Sequence, residues 1–258
     1  MKQLLIFIVI SLIISSCNTK TKDTAVIDFE EIQKDTIKPT RQIDTLMISR
    51  AFVLGKFDYK SDSTFVKVSP EFSTKEIYLN SQVYKAFLQM VDSANKDGIE
   101  LKILSGTRNF NEQKAIWERK WKRYKDLKPI DRALKILEYS SMPSSSRHHW
   151  GTDMDLNSLN NSYFNSGKGF MAYEWLKTHA NAFGFYQVYT DKENGRTGYS
   201  LEKWHWSYLP LANQYLEFYN SNITYEDING FEGCQLAKEL KIIDTYVNGI
   251  SKKAKDYE

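Results

Sequence analysis

Cysteine is scarce in this chain: Cys17 and Cys234 are the only two among 258 residues. A disulfide framework is therefore excluded as the source of stability, and a packed core has to suffice. An excess of one charge is lacking too. The 35 lysines and arginines nearly match the 32 aspartates and glutamates, the net charge is +3 and the two signs are interspersed, so no basic stripe speaks for a nucleic-acid partner. With five prolines and 12 glycines, no Pro/Gly-rich joint divides the chain beyond about residue 47, and no internal repeat or low-complexity block appears. One main domain is the consequence. Histidine is also sparse, with four: His148, His149, His179 and His205.

What the chain has in quantity is apolar and aromatic side chains. Hydrophobic residues make up 41%, including 16 Tyr, 14 Phe and 6 Trp, which can fill a globular interior, while 26% charged residues keep the outside solvated. The one sustained apolar run opens the chain as "MKQLLIFIVISLIISSC". It is shorter than the ~20 residues of a membrane-spanning helix, and small residues precede Cys17, as in a bacterial lipoprotein export signal. The resemblance implies cleavage before Cys17, acylation of its thiol and attachment to a membrane of the cell envelope. Cys234 then has no intramolecular partner. The polar stretch that follows lacks sustained apolar periodicity and reads as a tether. The expected plan is a signal peptide at 1–16, the acylated cysteine and flexible tether at 17–46, the main domain at 47–225 and a C-terminal helical extension at 226–258.

Within the main domain, Val83, Phe87, Met90, Val91 and Ala94 recur at helical spacing, with Ser81 as N-cap and Gly98 past the end. "IELKILSGTR" predicts a short strand running into a turn, and "NEQKAIWERKWKRYKD" a second helix, so Arg108 sits at a strand-to-helix corner. "FMAYEWLKTHANAFGF" predicts a helix closed at Gly184, "YQVYT" a strand, and "EKWHWSYL" a last strand or bend. Leu236, Leu240 and Ile243 recur at helical spacing and predict a C-terminal helix that docks on the domain. Helices and strands mix without βαβ regularity. The expected fold is α+β, with helices packed on a mostly antiparallel sheet.

Three of the four histidines lie in two unusual segments, "SRHHWGTDMD" (146–155) and "EKWHWSY" (202–208). That concentration points to a metal. Catalytic zinc takes three nitrogen or oxygen ligands and keeps a fourth position open, which suits two histidines and a carboxylate. The candidates are His148 or His149, Asp153 or Asp155, and His205. If "TDMDLN" is a strand, Asp153 and Asp155 point to the same face, so periodicity leaves both open. Gly151 lets the backbone turn between the histidines and that strand. Glu202 precedes His205 by three residues and shares its face only if the backbone bends; a carboxylate so placed can act as the base that a zinc-activated water needs.

"SRHHWGTDMD" resembles the S-x-H-x-x-G-x-x-x-D segment of VanY-type zinc D-alanyl-D-alanine carboxypeptidases, whose fold is shared with lysostaphin-like peptidases and hedgehog signalling domains. "EKWHWSY" is similar to the E-x-W-H-W segment of that family, and "SGTRNFNEQ" (105–113) to its S-G-x-R…Q stretch. The resemblance extends over about 85–210. It implies that His148, Asp155 and His205 bind Zn2+, that Glu202 is the catalytic acid and base, and that Arg108 stabilises the oxyanion. It also implies that Ser146 lies beside the substrate or orients the first ligand, and that Gln113 supports the Arg108 corner or contacts substrate. Two positions depart from the commonest pattern, Asp153 and Lys203, and neither removes a ligand. Asp153 is expected to orient a ligand or to pair with Arg147.

The implied activity is removal of the C-terminal D-alanine from peptidoglycan stem peptides by a lipid-anchored, monomeric zinc peptidase. The same site would serve an endopeptidase, an L,D-carboxypeptidase or a D-Ala-D-Ala dipeptidase, and a peptidoglycan-binding lipoprotein without catalysis is the alternative of another class. Glu202 and a complete ligand set favour catalysis. His149 is expected as a packed neighbour, His179 as structural, and Trp150, Trp204 and Trp206 as core or cleft walls. The run "WERKWKRYKDLK" is expected as a solvated helix face.

Overall fold

The computed structural model describes residues 48–192 and 195–257; the apolar leader, Cys17 and the tether lie outside the described residues. Chain order begins with a single helical turn, α1 (Arg50–Val53), followed by an antiparallel pair, β1 (Phe65–Lys67) and β2 (Tyr78–Asn80). Helix α2 (Ser81–Lys96) comes next. Its buried residues Val83, Ala86, Phe87, Met90, Val91 and Ala94 recur at three and four, the stripe of an amphipathic helix. The N-cap is Asn80, one residue before the expected Ser81, because its side chain accepts the Gln82 N–H at 2.9 Å.

β3 (Ile103–Ser105) leads through Arg108 into α3 (Phe110–Arg123), whose start is fixed by a capping box between Asn109 and Glu112. α4 (Pro129–Leu137), β4 (Asp153–Leu156), α5 (Gly167–His179), β5 (Phe185–Gln187), β6 (His205–Tyr208), α6 (Leu209–Asn222) and a last turn, α7 (Lys252–Lys255), complete the order. The main sheet runs β3-β4-β6-β5, and every neighbouring pair is antiparallel. The fold is α+β, as expected.

Alternation along β4 and β6 gives the sheet two unlike faces. Met154, Leu156 and Trp206 turn into the hydrophobic core, together with Trp175 and Leu176 of α5 and Tyr215 and Tyr219 of α6. Asp153, Asp155, His205 and Ser207 occupy the other face. The register pairs Asp155 with His205 and Asp153 with Ser207, so two carboxylates stand directly across the strand boundary from an imidazole and a hydroxyl.

The C-terminal stretch departs from its expected helix. Cys234–Leu236 form a short 3-10 turn, Lys241 adopts a left-handed conformation at φ 48°, and Ile242–Val247 form a π-helical turn. Leu236, Leu240 and Ile243 do pack against the core, but Ala237, Ile242 and Val247 are buried as well. A straight helix cannot bury residues from all these directions on one stripe, so tertiary packing overrides the spacing. The described part of the chain, this stretch included, forms one compact unit.

Candidate active site

The polar face of the sheet is completed by a 3-10 turn, Arg147–Trp150, which carries both adjacent histidines. Gly151 ends that turn at φ 69°, where a Cβ would lie 2.3 Å from the Phe65 ring. Only glycine lets the chain reverse there and enter β4. His148 Nδ1 lies 2.8 Å from the carbonyl oxygen of Gly106 and donates to it, which leaves the Nε2 lone pair free. His205 Nε2 lies 2.8 Å from Asp153 Oδ2, which leaves Nδ1 as its outward nitrogen.

Asp155 Oδ1 faces both free nitrogens, 3.5 Å from His148 Nε2 and 3.3 Å from His205 Nδ1. That oxygen is buried and has no hydrogen-bond partner. Ligand atoms of His148, Asp155 and His205 all lie within 4.8 Å of one another. Two nitrogen ligands and one oxygen ligand at bonds of ~2.05 Å would stand ~3.3 Å apart on the edges of a tetrahedron, close to the two distances found here. The residues present therefore fit a zinc ion, with their open side toward the cleft.

The charges around the site suit a cation at this point. Burial, and then the Arg108 guanidinium, push the His148 pKa down and keep its ring neutral. Burial also works against a charged His205, but hydrogen bonds with Asp153, Asp155 and Glu202 outweigh it and raise the His205 pKa well above the ordinary value, so that without an ion the ring keeps a proton on Nδ1 that a metal would have to displace. Asp153 is fully buried and accepts four hydrogen bonds: Arg147 Nε at 3.0 Å and His205 Nε2 at 2.8 Å on Oδ2, Thr152 Oγ1 at 2.7 Å and Ser207 Oγ at 2.8 Å on Oδ1. Burial would raise its pKa, yet Arg147 and then His205 hold it well below the carboxylate range. Of the two aspartates left open by periodicity, Asp155 faces His148 Nε2 and His205 Nδ1, while Asp153 orients His205 and pairs with Arg147.

Glu202 precedes β6 in a turn, and its Oε2 lies 3.3 Å from His205 Nδ1, so the required bend is present. Burial raises its pKa, partly offset by the hydrogen bond with His205. Arg108 Nη1 lies 3.9 Å from Asp155 Oδ2. Its Nε donates to Gln113 Oε1 at 3.0 Å and its Nη1 to Ser105 Oγ, while Gln113 Nε2 donates to the Ser141 carbonyl at 2.8 Å. Gln113 thus supports the Arg108 corner, the first of its two expected roles. Ser146 is the N-cap position of the 3-10 turn; it is buried, its Oγ has no partner, and it is not among the residues that line the cleft. His149 ligates nothing, since Nδ1 donates to the Arg108 carbonyl at 2.6 Å and Nε2 accepts the Ser144 N–H at 3.1 Å. His179 stacks near Trp175, away from these groups.

These side chains open onto a cleft of about 760 Å3. Arg108, Gln113, His148, Asp155, Glu202 and His205 line it, and so do residues that the motifs did not single out, among them Lys120, Tyr139, Tyr189 and Tyr199. The Tyr189 ring lies 4.6 Å from that of His205, centroid to centroid. Trp204 forms part of the wall against Tyr139, whereas Trp150 and Trp206 belong to the core. The basic run of α3 is only partly a solvated face: Trp117 and Trp121 are buried, and Arg119 and Lys120 face the cleft. The period of α3 puts residues 113, 116 and 120 on one side, which was the available signal for the last of these.

The family model for the D-alanyl-D-alanine carboxypeptidase VanY matches residues 76–211. YodJ of Bacillus subtilis strain 168, a carboxypeptidase by name, is 29% identical over 189 residues, which covers 70% of this chain and 66% of YodJ. The D-alanyl-D-alanine carboxypeptidase of Enterococcus faecium is 24% identical over 229 residues, 85% of this chain and 67% of the relative. The chain thus spans about two thirds of the length of both. Among solved structures, a mutant of the vancomycin-resistance D,D-pentapeptidase VanY in complex with Zn(II) is 22% identical, with a TM-score of 0.48 over 67% of this chain and 93% of that one.

Proposed function

Since the chain belongs to the VanY D-alanyl-D-alanine carboxypeptidase family, we propose that it is a zinc carboxypeptidase that removes the terminal D-alanine from peptidoglycan stem peptides. The observation that carries this reading is the meeting of His148 Nε2, Asp155 Oδ1 and His205 Nδ1 at the floor of a cleft that also holds Glu202 and Arg108. His148, Asp155 and His205 would hold the ion. A zinc ion in such a site supplies Lewis acidity, which makes a water easier to deprotonate and a peptide carbonyl easier to attack.

The protein's own groups do the rest. Glu202, whose pKa is raised by burial, takes the proton from the attacking water and returns it to the departing amine. Arg108, pinned by Gln113 and Ser105, directs its guanidinium to the negative charge that grows on the carbonyl oxygen. Asp153 keeps the His205 ring in the orientation that turns Nδ1 toward Asp155. We also propose, from the apolar leader and Cys17, that the mature protein is held to an envelope membrane by acyl chains on that cysteine.

Mass spectrometry of muropeptides incubated with the zinc-loaded domain, with and without a chelator, tests the reading. The expected result is loss of one terminal alanine that stops with chelator and returns with zinc. Cleaved cross-links, or release of a different residue, would keep the site but change the bond. Binding of muropeptide without any cleavage would sink the enzymatic reading in favour of a binding lipoprotein.

A further inference from the structure

One wall of the cleft has a cation that the proposed chemistry does not use. Gln113, Ile116 and Lys120 recur at three and four residues along α3, and all three line the cleft. Gln113 marks the inner end, where it holds Arg108. Lys120 stands two turns farther out, ~10 Å along the helix axis, with its side chain leaning back toward the helix N-terminus. The wall therefore presents Arg108, then the apolar side chain of Ile116, then an ammonium. That axial offset equals about three residues of extended peptide at ~3.4 Å each, and the backward lean of the lysine side chain shortens it by about one.

Lys120 is half-buried and forms no ion pair with any acid among the described residues, while Lys114 pairs with Glu118 and Lys122 is exposed, and neither of these lines the cleft. Its Nζ donates to Ser140 Oγ at 2.5 Å, which leaves two of its three N–H groups for a ligand. A partly desolvated ammonium with only a hydroxyl partner gains from an anion more than an exposed lysine does. Burial and the neighbouring Arg119 push its pKa down, against a smaller upward pull from Glu202.

We infer that Lys120 receives a carboxylate of the bound stem peptide and so selects substrates that carry a free acid at that distance from the scissile bond. The inference rests on the peptidase reading above. Two carboxylates of such a peptide fit the chemistry: the C-terminal one of the leaving residue, and the side-chain one of a diacid residue earlier in the stem.

The test compares the zinc-loaded wild type with K120M, which keeps the aliphatic stem and removes the charge, and with K120R, which keeps the charge. Four peptides ending in two D-alanines are used, with the C-terminus as free acid or amide and the third residue as lysine or diaminopimelate. Where an amide is not turned over, its inhibition constant against the free acid serves for the comparison. K120M is expected to raise KM about tenfold on a peptide with the matching acid, with kcat changed less than about threefold and with K120R recovering most of the loss. An effect that vanishes with the terminal amide assigns the C-terminal carboxylate, and one that vanishes with lysine at the third residue assigns the side chain. K120M with wild-type KM on all four peptides overturns the inference while the peptidase reading stands, and so does an equal loss on all four. A wild type that neither cleaves nor binds any of them overturns the peptidase reading and the inference with it.

Discussion

Asp153→Asn is the perturbation that separates the orienting carboxylate from the liganding one. Asparagine has the shape of aspartate. Its oxygen can take the place of Oδ2 and keep both the Arg147 and His205 hydrogen bonds, while its amide donates to Thr152 and Ser207, whose hydroxyls can rotate to accept. What is removed is the charge. Arg147 is 1% exposed, and its Nη1 has no partner even in the native protein, so the variant leaves a guanidinium buried without a counter-ion. Removing one partner of a buried pair costs about 3–5 kcal/mol, a large part of the ~5–15 kcal/mol that holds a typical domain together. Zinc affinity should fall as well, by ~10–100-fold, because a neutral amide oxygen is a weaker acceptor for the His205 N–H than a carboxylate. Urea denaturation in the presence of chelator reads the first effect, and competition against a chromogenic zinc chelator reads the second. Adding Arg147→Met should recover part of the stability, since no buried charge is then left unpaired, without restoring zinc affinity. An Asp153→Asn protein within about 1 kcal/mol of wild type and with unchanged zinc affinity would refute the assignment.

Two further predictions concern single side chains. Glu202→Gln should retain zinc and lose turnover by ~10²–10⁴-fold, whereas His205→Ala should lose zinc itself; metal analysis beside a rate assay distinguishes them, and a nearly active Glu202→Gln enzyme would remove Glu202 from the chemistry. Burial pushes the His149 pKa from 6.5 down to about 3, so between those values the unfolded chain binds a proton that the folded one does not. Its contribution to stability is whole above pH 6.5 and declines at about 1.4 kcal/mol per pH unit as the pH falls toward 3. A His149→Gln variant should show a shallower acid-side loss in urea titrations, and an unchanged slope would contradict this account.

The site was more legible in the sequence than its surroundings were. The two motifs were legible because three of the four histidines cluster there, and the family resemblance singled out His148, Asp155, His205 and Glu202, whose side chains meet in the cleft. The choice between Asp153 and Asp155 was not available from periodicity, because both point to one face of β4. What divides their roles is non-local: Arg147 and Ser207 surround one carboxylate, and His148 reaches the other. Ser146 shows the opposite case, a motif residue whose burial no spacing reveals. Helix α4 carried signals that could have found it, with Pro129 at its first position and Ala133, Ile136 and Leu137 at helical spacing. The C-terminal stretch could not be read, because its irregular turns follow the surface they cover and no local preference.

The pairing of Asp155 with His205 across the boundary between β4 and β6 has a consequence for how the protein matures. A slip of one residue between these strands would face the imidazole with Met154 in place of a carboxylate, and would turn Trp206 toward the cleft if the strand rotated to compensate. No ion would be captured. Metal uptake is then a certificate of correct strand alignment, issued only after the sheet has closed in its native register. A refolding time course that follows zinc capture and tryptophan burial together would show the two appearing as one event, and a pool of collapsed but misaligned chains would be recognisable by staying metal-free.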